Sequence, residues 1–356
     1  MRNTWMRHLL RSLILAAALF CWVHALILSG DMLRSAGCVS FRYGTGGISG
    51  AAAQTMLEDE SVPFAAWLQE SGRSVSEPEF SRDSTVQILE IAGDTELVLP
   101  VEELLQGFLP PRGSADTCAI DAATAYALWG GMNVTGETLI YDDREYTVTG
   151  VFSRPENTML MQSRMKTDTV FPYLELSVSD RNTARRQVDE FRVRYSLPEP
   201  DILTDHLETA AMLRQLALFP ALLAAALLLW KVLRRSFGKS VSSLGRAGFG
   251  LAMVAGILMA SWAIGFSPVI PVAAIPGRWS DFSFWSGFVE DMAERIRLSR
   301  AFAWSAPDLL RLQLQHLLFL YSGGALAGFV IGILWKPRMK QGKGQQDGIF
   351  DTEKHL

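Results

Sequence analysis

Cysteine and histidine are scarce: the 356 residues include three Cys and five His. Cys21, Cys38 and Cys118 stand far apart, with no CxxC or Cys/His spacing, so no zinc site and no cofactor is expected. Excess positive charge is missing as well. With 33 Lys and Arg against 37 Asp and Glu, the formal net charge is −4. That argues against nucleic acid as a partner, because neutralising phosphates needs a basic face. A phosphate-cradling loop is also lacking. Gly238-Lys239-Ser240 imitates the end of a P-loop, but five residues before Gly238, where a glycine is required, stands Leu233. No nucleophile–base pair or metal-ligand cluster is evident, so the chain is not expected to be an enzyme. His316 and Ser322 are no exception: six helical residues rotate by about 240°, which puts them on different faces.

Long apolar runs, by contrast, are plentiful. A bilayer core takes about 20 apolar residues as helix, and four segments qualify: Leu9–Ser29, Leu213–Leu233, Gly248–Phe266 and Leu312–Trp335. Basic residues cluster beside them. Arg2, Arg7 and Arg11 precede the first run; Lys231, Arg234, Arg235, Lys239 and Arg246 lie between the second and third; Lys336, Arg338, Lys340 and Lys343 follow the fourth. If the four helices alternate in direction, all three clusters fall on one face, which is therefore cytoplasmic. Both termini are then inside, and the long segment Asp31–Asp205 is outside, with roughly twice as many acidic as basic residues. The first run is longer than the apolar core of a signal peptide and lacks a small-x-small cleavage site, so it is read as a membrane helix.

The expected organisation is an α-helical membrane protein with four transmembrane helices and an inserted α+β extracytoplasmic domain. Residues 1–30 form the cytoplasmic start and first helix, and 31–205 the outer domain. The second helix covers 206–235, a short basic link 236–247, and the third helix 248–266. An outer loop covers 267–311, the fourth helix 312–335, and a cytoplasmic tail 336–356. Small residues recur every four positions in the last two helices, as Ala252, Gly256, Ala260 and as Gly324, Gly328, Gly332, a pattern that lets helix backbones pack closely in lipid. In the outer loop, Phe288, Met292, Ile296 and Ser299 recur at helical spacing with charges between them, predicting a short amphipathic helix on the membrane or against the outer domain.

Within the outer domain, the spacing of Phe64, Trp67 and Leu68 predicts a helix over Pro63–Ser71. Thr85–Ile91 reads as a strand buried on both faces, and Glu102–Leu109 as a short helix ended by Pro110-Pro111. Cys118–Ile120 is a short strand. Asp121 then caps a helix that ends at Trp129 before Gly130-Gly131. Thr138–Tyr141, an Asp142-Asp143 turn and Tyr146–Phe152 form a hairpin. Cys38 and Cys118 both lie outside, where disulfides persist. A bridge between them would tie the domain to its stalk; two unpaired thiols are the alternative.

One stretch carries a family resemblance. Cys118-Ala119-Ile120-Asp121, Ala125, Leu128-Trp129-Gly130-Gly131, Gly136-Glu137-Thr138-Leu139 and Arg144-Glu145-Tyr146-Thr147-Val148-Thr149-Gly150-Val151-Phe152 resemble the extracytoplasmic core domain of MacB-type (FtsX-like) ABC transporter permeases. Gly107 matches a further glycine of that pattern. The resemblance covers Val86–Phe152, about a fifth of the chain. It implies a permease subunit that works with a separate cytoplasmic ABC ATPase and pairs with a second permease chain, as homo- or heterodimer, in the cell membrane. Gly107, Gly130, Gly131, Gly136 and Gly150 are structural in this motif; none does chemistry. One departure stands out. The link Arg234–Ala247 contains no acidic residue, where the family's coupling helix carries one. Arg234, Arg235, Lys239 and Arg246 are therefore candidates for contact either with an ATPase or with anionic lipid. The alternative function is a membrane-anchored binding or scaffold protein that reuses the permease body without ATP-driven cycling.

Overall fold

A computed structural model describes residues 2–59, 62–79, 81–99, 103–153, 155–166, 168–237, 243–270, 274–275, 278 and 283–335. The chain opens with helix α1 (Arg2–Arg34) and continues through β1 (Cys38–Arg42), β2 (Ile48–Ser49), α2 (Gly50–Asp59), β3 (Phe64–Glu77) and β4 (Arg82–Gly93). Next come α3 (Thr95–Val98), β5 (Leu104–Gly107), β6 (Thr117–Asp121), α4 (Ala122–Trp129), β7 (Thr138–Tyr141) and β8 (Arg144–Phe152). The outer domain closes with β9 (Thr158–Gln162), β10 (Val170–Phe171), β11 (Tyr173–Ser177), α5 (Arg181–Arg194) and β12 (Ile202–Asp205). Helices α6 (His206–Phe237), α7 (Ser243–Ala263), α8 (Ser283–Ala301) and α9 (Ala306–Leu334) follow.

The outer domain is a mixed ten-stranded sheet in the order β12-β1-β11-β3-β4-β9-β6-β8-β5, with β7 pairing with β3 and β8. The β4–β9 and β6–β8 pairs are parallel and the others antiparallel. The stretch from β6 to β8 folds largely as its residues dictate. Asp121 sits at the N-cap of α4 and accepts from Ala123 N at 2.9 Å. The same carboxylate accepts from Thr158 N at 3.0 Å, which ties the helix start to β9 and leaves Asp121 fully buried yet satisfied. Gly130 ends α4 in the left-handed region at φ 76°. Tyr141 pairs with Arg144 across a two-residue turn in which Asp142 and Asp143 both have positive φ, the geometry of a tight hairpin.

Two expected helices are strands. All of Pro63–Ser71 after Pro63 itself belongs to β3. Phe64, Ala65, Ala66 and Trp67 are each at most 1% exposed because β3 lies between β11 and β4 with both faces covered. A strand buried on both faces reads as a continuous apolar run, which periodicity alone cannot separate from a helix. The Glu102–Leu109 stretch holds β5, paired with β8, and its Glu102 lies outside the described residues. The crossing is close: a Cβ on Gly150 would lie 2.5 Å from Phe108 O, and Gly107 has φ +74°. Gly136 also has positive φ, at 94°, whereas Gly131 has neither a positive φ nor a close neighbour.

Three described helices are long and apolar enough to cross a membrane: Trp5–Arg34, His206–Arg235 and Ala306–Leu334. The expected third span, 248–266, corresponds to α7, whose described apolar part, Ala247–Ala263, is shorter. The glycine row lies along an interface. Cβ atoms placed on Gly324, Gly328 and Gly332 would meet Cys21 Sγ at 3.4 Å, Ala18 Cβ at 2.7 Å and Leu15 Cδ2 at 2.6 Å. Helix α9 therefore packs against α1 at a distance that side chains would prevent. Gly256 of α7 likewise lies against Leu229 of α6. Pro220 interrupts α6 and removes one helix-bond donor. Close by, the Trp22 indole of α1 donates to Ala217 O at 3.1 Å.

Candidate functional site

Three helices meet one edge of the sheet. Only residues 35–37 separate α1 from β1, and β12 runs directly into α6. In β1, Val39 and Phe41 turn into the domain core. Because strand side chains alternate, Cys38, Ser40 and Arg42 turn the other way. Strand β11 matches this pattern: Leu174 and Leu176 enter the core, while Tyr173 and Glu175 face with Arg42 and Ser40, their register partners. The outer ends of α6 and α9 cover this polar face.

Arg42, 1% exposed, is the hub. Its Nε donates to Asp308 Oδ2 at 2.9 Å and its Nη2 to Asp308 Oδ1 at 2.7 Å. Nη2 also donates to Glu175 Oε1 at 2.6 Å, and Nη1 to Phe41 O at 3.0 Å. Its guanidinium carbon lies 5.6 Å from the Trp67 ring centroid and 5.4 Å from that of Tyr173, two rings stacked on each other. Burial opposes the charge of Arg42, but the Glu175 and Asp308 carboxylates outweigh it and hold its pKa above the ordinary guanidinium value.

The first turn of α9 is held from several sides. Ser305 is its N-cap; its hydroxyl donates to the Asp308 carboxylate at 2.6 Å and accepts from Asp308 N at 3.3 Å. Ala306 N donates to Gln69 Oε1 of β3 at 2.9 Å. Ser40 donates to Glu175 and lies 2.5 Å from His206 Nε2. Arg311 Nη1 is 3.3 Å from the same His206 nitrogen, 3.8 Å from Glu175 and 3.9 Å from Asp308. Two guanidiniums and two carboxylates thus balance where α6, α9, β1 and β11 converge.

Cys38, Glu175 and His206 bring three ligand-type atoms within 4.8 Å of one another. These atoms are better suited to an ion-pair network than to a cation. Arg42 occupies Glu175, Arg311 stands against His206, and the thiol is hard to ionise: burial first, then the Glu175 charge, pushes Cys38 up to about 12. Cys38 and Cys118 are both free thiols. They sit on β1 and β6, five strand spacings apart, about 24 Å, far beyond the reach of a disulfide. The bridge that would tie the domain to its stalk is absent, and ion pairs make that connection instead.

The end of the helix group away from the sheet has its own polar contacts. Arg11 of α1 donates to Gly332 O at 2.8 Å, and Lys231 of α6 donates to Ile333 O, so cations from two helices cap the carbonyls that end α9. Arg234 and Arg235 are exposed at the end of α6, with Arg234 over the Trp230 ring at 5.2 Å. Lys239 lies outside the described residues, as does the Arg246 side chain. Of the sequence-derived candidates only Cys38 adjoins the buried cluster, as a free thiol beside Glu175 and His206. Its members Arg42, Glu175, His206, Asp308 and Arg311 gave one local signal, Ser305-Ala306-Pro307-Asp308, which has the form of a helix start.

No protein-family model matches this chain, and no curated protein does. Solved structures with a likeness include the periplasmic region of MacB from Actinobacillus actinomycetemcomitans, at 16% identity and a TM-score of 0.39, covering 49% of this chain and 92% of that one. Another is the extracellular domain of the noncanonic ABC-type transporter YknZ from Gram-positive bacteria, at 11% identity and a TM-score of 0.34, covering 46% and 96%.

Proposed function

We propose that this chain is the membrane subunit of an ABC-type transporter or related mechanotransmission complex, relaying movement between a separate cytoplasmic ATPase and its outer domain. The observation that carries the reading is the Arg42–Asp308–Glu175 clamp. With the direct β12–α6 junction and the short α1–β1 link, it couples all three long helices to one sheet edge. A shift of the helices then has no slack to absorb it before it reaches the sheet. The MacB-like motif over Val86–Phe152 supports the same reading from sequence.

On this reading α7 serves as a fourth span, both termini are cytoplasmic, and a second permease chain and the surrounding lipid complete the unit. The chain itself performs no catalysis. Arg234, Arg235, Lys239 and Arg246 meet the ATPase. Purifying the full chain from its native membrane should bring ATP hydrolysis with it, and reversing those four charges should remove that activity. Retention of the hydrolysis by the reversed variant would sink the assignment of the link. The absence of any acidic residue in Arg234–Ala247 favours the second reading, a scaffold without ATP-driven cycling, which predicts no co-purifying hydrolysis at all.

A further inference from the structure

Helix α8 is a well-formed helix with little packed on it among the described residues. Every residue from Val289 to Leu298 is exposed, among them Val289 at 63%, Met292 at 44% and Ile296 at 46%. Apart from Leu298, which is 40% exposed and lies on the charged side, the large apolar side chains are not scattered around the helix. At about 100° per residue, Phe284, Phe288, Met292, Trp285, Ile296 and Val289 fall within an arc of about 140°. Glu290, Asp291, Glu294 and Arg297 occupy the opposite arc, where Arg297 and Glu294 pair at 2.9 Å through Nε. Arg295 falls inside the apolar arc, between Phe284 and Phe288, and Arg300 lies just beyond its Val289 edge; long basic side chains at such places can lay their stems along an apolar surface and keep their charge in water.

The helix is also tied to a fixed level. Its C-terminal end leads within a few residues into the capped start of α9: Trp304 Nε1 donates to Ser299 O at 2.8 Å, and Phe302 lies beside Gly44 of the outer domain. Apolar side chains on its neighbours in the chain, Trp262 of α7 at 87% and Leu309 of α9 at 48%, are exposed too. The aromatic group Phe284, Trp285 and Phe288, with ring centroids 5.3 to 6.4 Å apart, heads the apolar arc. Aromatic rings of this kind favour the headgroup level of a bilayer. The helix carries three acidic and three basic residues, so it has no net charge to draw it to anionic lipid.

We infer that α8 lies flat in the outer-leaflet interface of the membrane, apolar arc down, and that a zwitterionic lipid surface suffices to hold it. The inference rests on the reading that α9 crosses the same membrane. It makes α8 a float attached to the turn that bears Asp308, so the clamp is referenced to the lipid surface as well as to the sheet.

The test uses the full chain reconstituted in phosphatidylcholine nanodiscs. A fluorescent thiol label is placed at Met292→Cys, Glu294→Cys or Leu320→Cys, the unsubstituted chain giving the background of the native thiols. Quenching by brominated lipid is compared with quenching by aqueous iodide. The Met292→Cys label should be quenched several-fold more by the lipid than by iodide, and the Glu294→Cys label the reverse. Leu320, 71% exposed in the middle of α9, is the control for the span. Lipid quenching at Leu320→Cys but iodide quenching at Met292→Cys overturns the inference and leaves the span standing; no lipid quenching at either position overturns both. Protection of Met292→Cys from both quenchers overturns it in favour of a protein cover, and loss of that protection at one chain per disc identifies the cover as a second copy.

Discussion

Arg42 and Asp308, 266 residues apart in the chain, meet through two parallel N–H···O bonds inside a site closed to water. Removing one partner leaves the other charged and buried. Arg42→Met or Asp308→Leu alone should each destabilise the fold by about 3–5 kcal/mol, while the double substitution should recover much of that. Chemical unfolding in detergent, followed by tryptophan fluorescence, reads the difference. Arg42→Lys should not rescue, because an ammonium cannot bond both carboxylate oxygens in the same plane and reach Glu175 as well.

Cys21 and Gly324 offer a direct test of the α1–α9 interface. A Cβ on Gly324 would lie 3.9 Å from Cys21 Cβ, within the usual disulfide range of about 3.5–4.5 Å. Gly324→Cys should therefore form a bond with Cys21 on mild oxidation, seen as a mobility shift that reductant reverses. The same cysteine at Gly323, where a Cβ would meet nothing within 4 Å, should not.

Gly150→Ala should destabilise the outer domain by about 1–3 kcal/mol, because the new methyl falls 2.5 Å from the backbone O of Phe108, a residue just past β5 whose N–H donates to Thr149 O. Gly131→Ala, with open space around it, should be nearly neutral. Thermal melts of the two variants side by side measure the contrast.

Alkaline pH should unfold the protein through its buried acids. Burial, and then the Glu175 charge, raises Cys38 from 9.0 to about 12, and burial raises Tyr43 from 10.0 to about 12. Cys118 is raised by burial too. Each group binds its proton more tightly when folded, so its stabilisation is complete below the unfolded value and is lost as pH rises through the folded one. Stability should thus be flat near neutrality and fall between pH 9.0 and about 12. Cys38→Ala should flatten part of that fall. At neutral pH, native Cys38 and Cys118 should resist alkylation, which mass spectrometry detects directly.

Signals confined to a few neighbouring residues were legible in the sequence. Asp121 and Gly130 bracket α4, Asp142-Asp143 turns the hairpin, and the glycine row of α9 marks its packing face. The contacts of the basic residues were not legible: Arg11 and Lys231 cap α9 carbonyls. Strand β3 was misread because complete burial removes the alternation that identifies a strand. The clamp was illegible for a different reason. Arg42 looks like any strand arginine until β11 supplies Glu175 and a helix more than two hundred residues later supplies Asp308.

Helix α9 is gripped at both ends, by Arg42 near its first turn and by Arg11 and Lys231 at its last carbonyls, points about 36 Å apart along its axis. A piston stroke of one helical turn, about 5.4 Å, would break both grips together. So would a screw rotation by one residue. On the proposed reading, a tilt of α9 together with α1 and α6 keeps both grips, whereas sliding or turning past them does not.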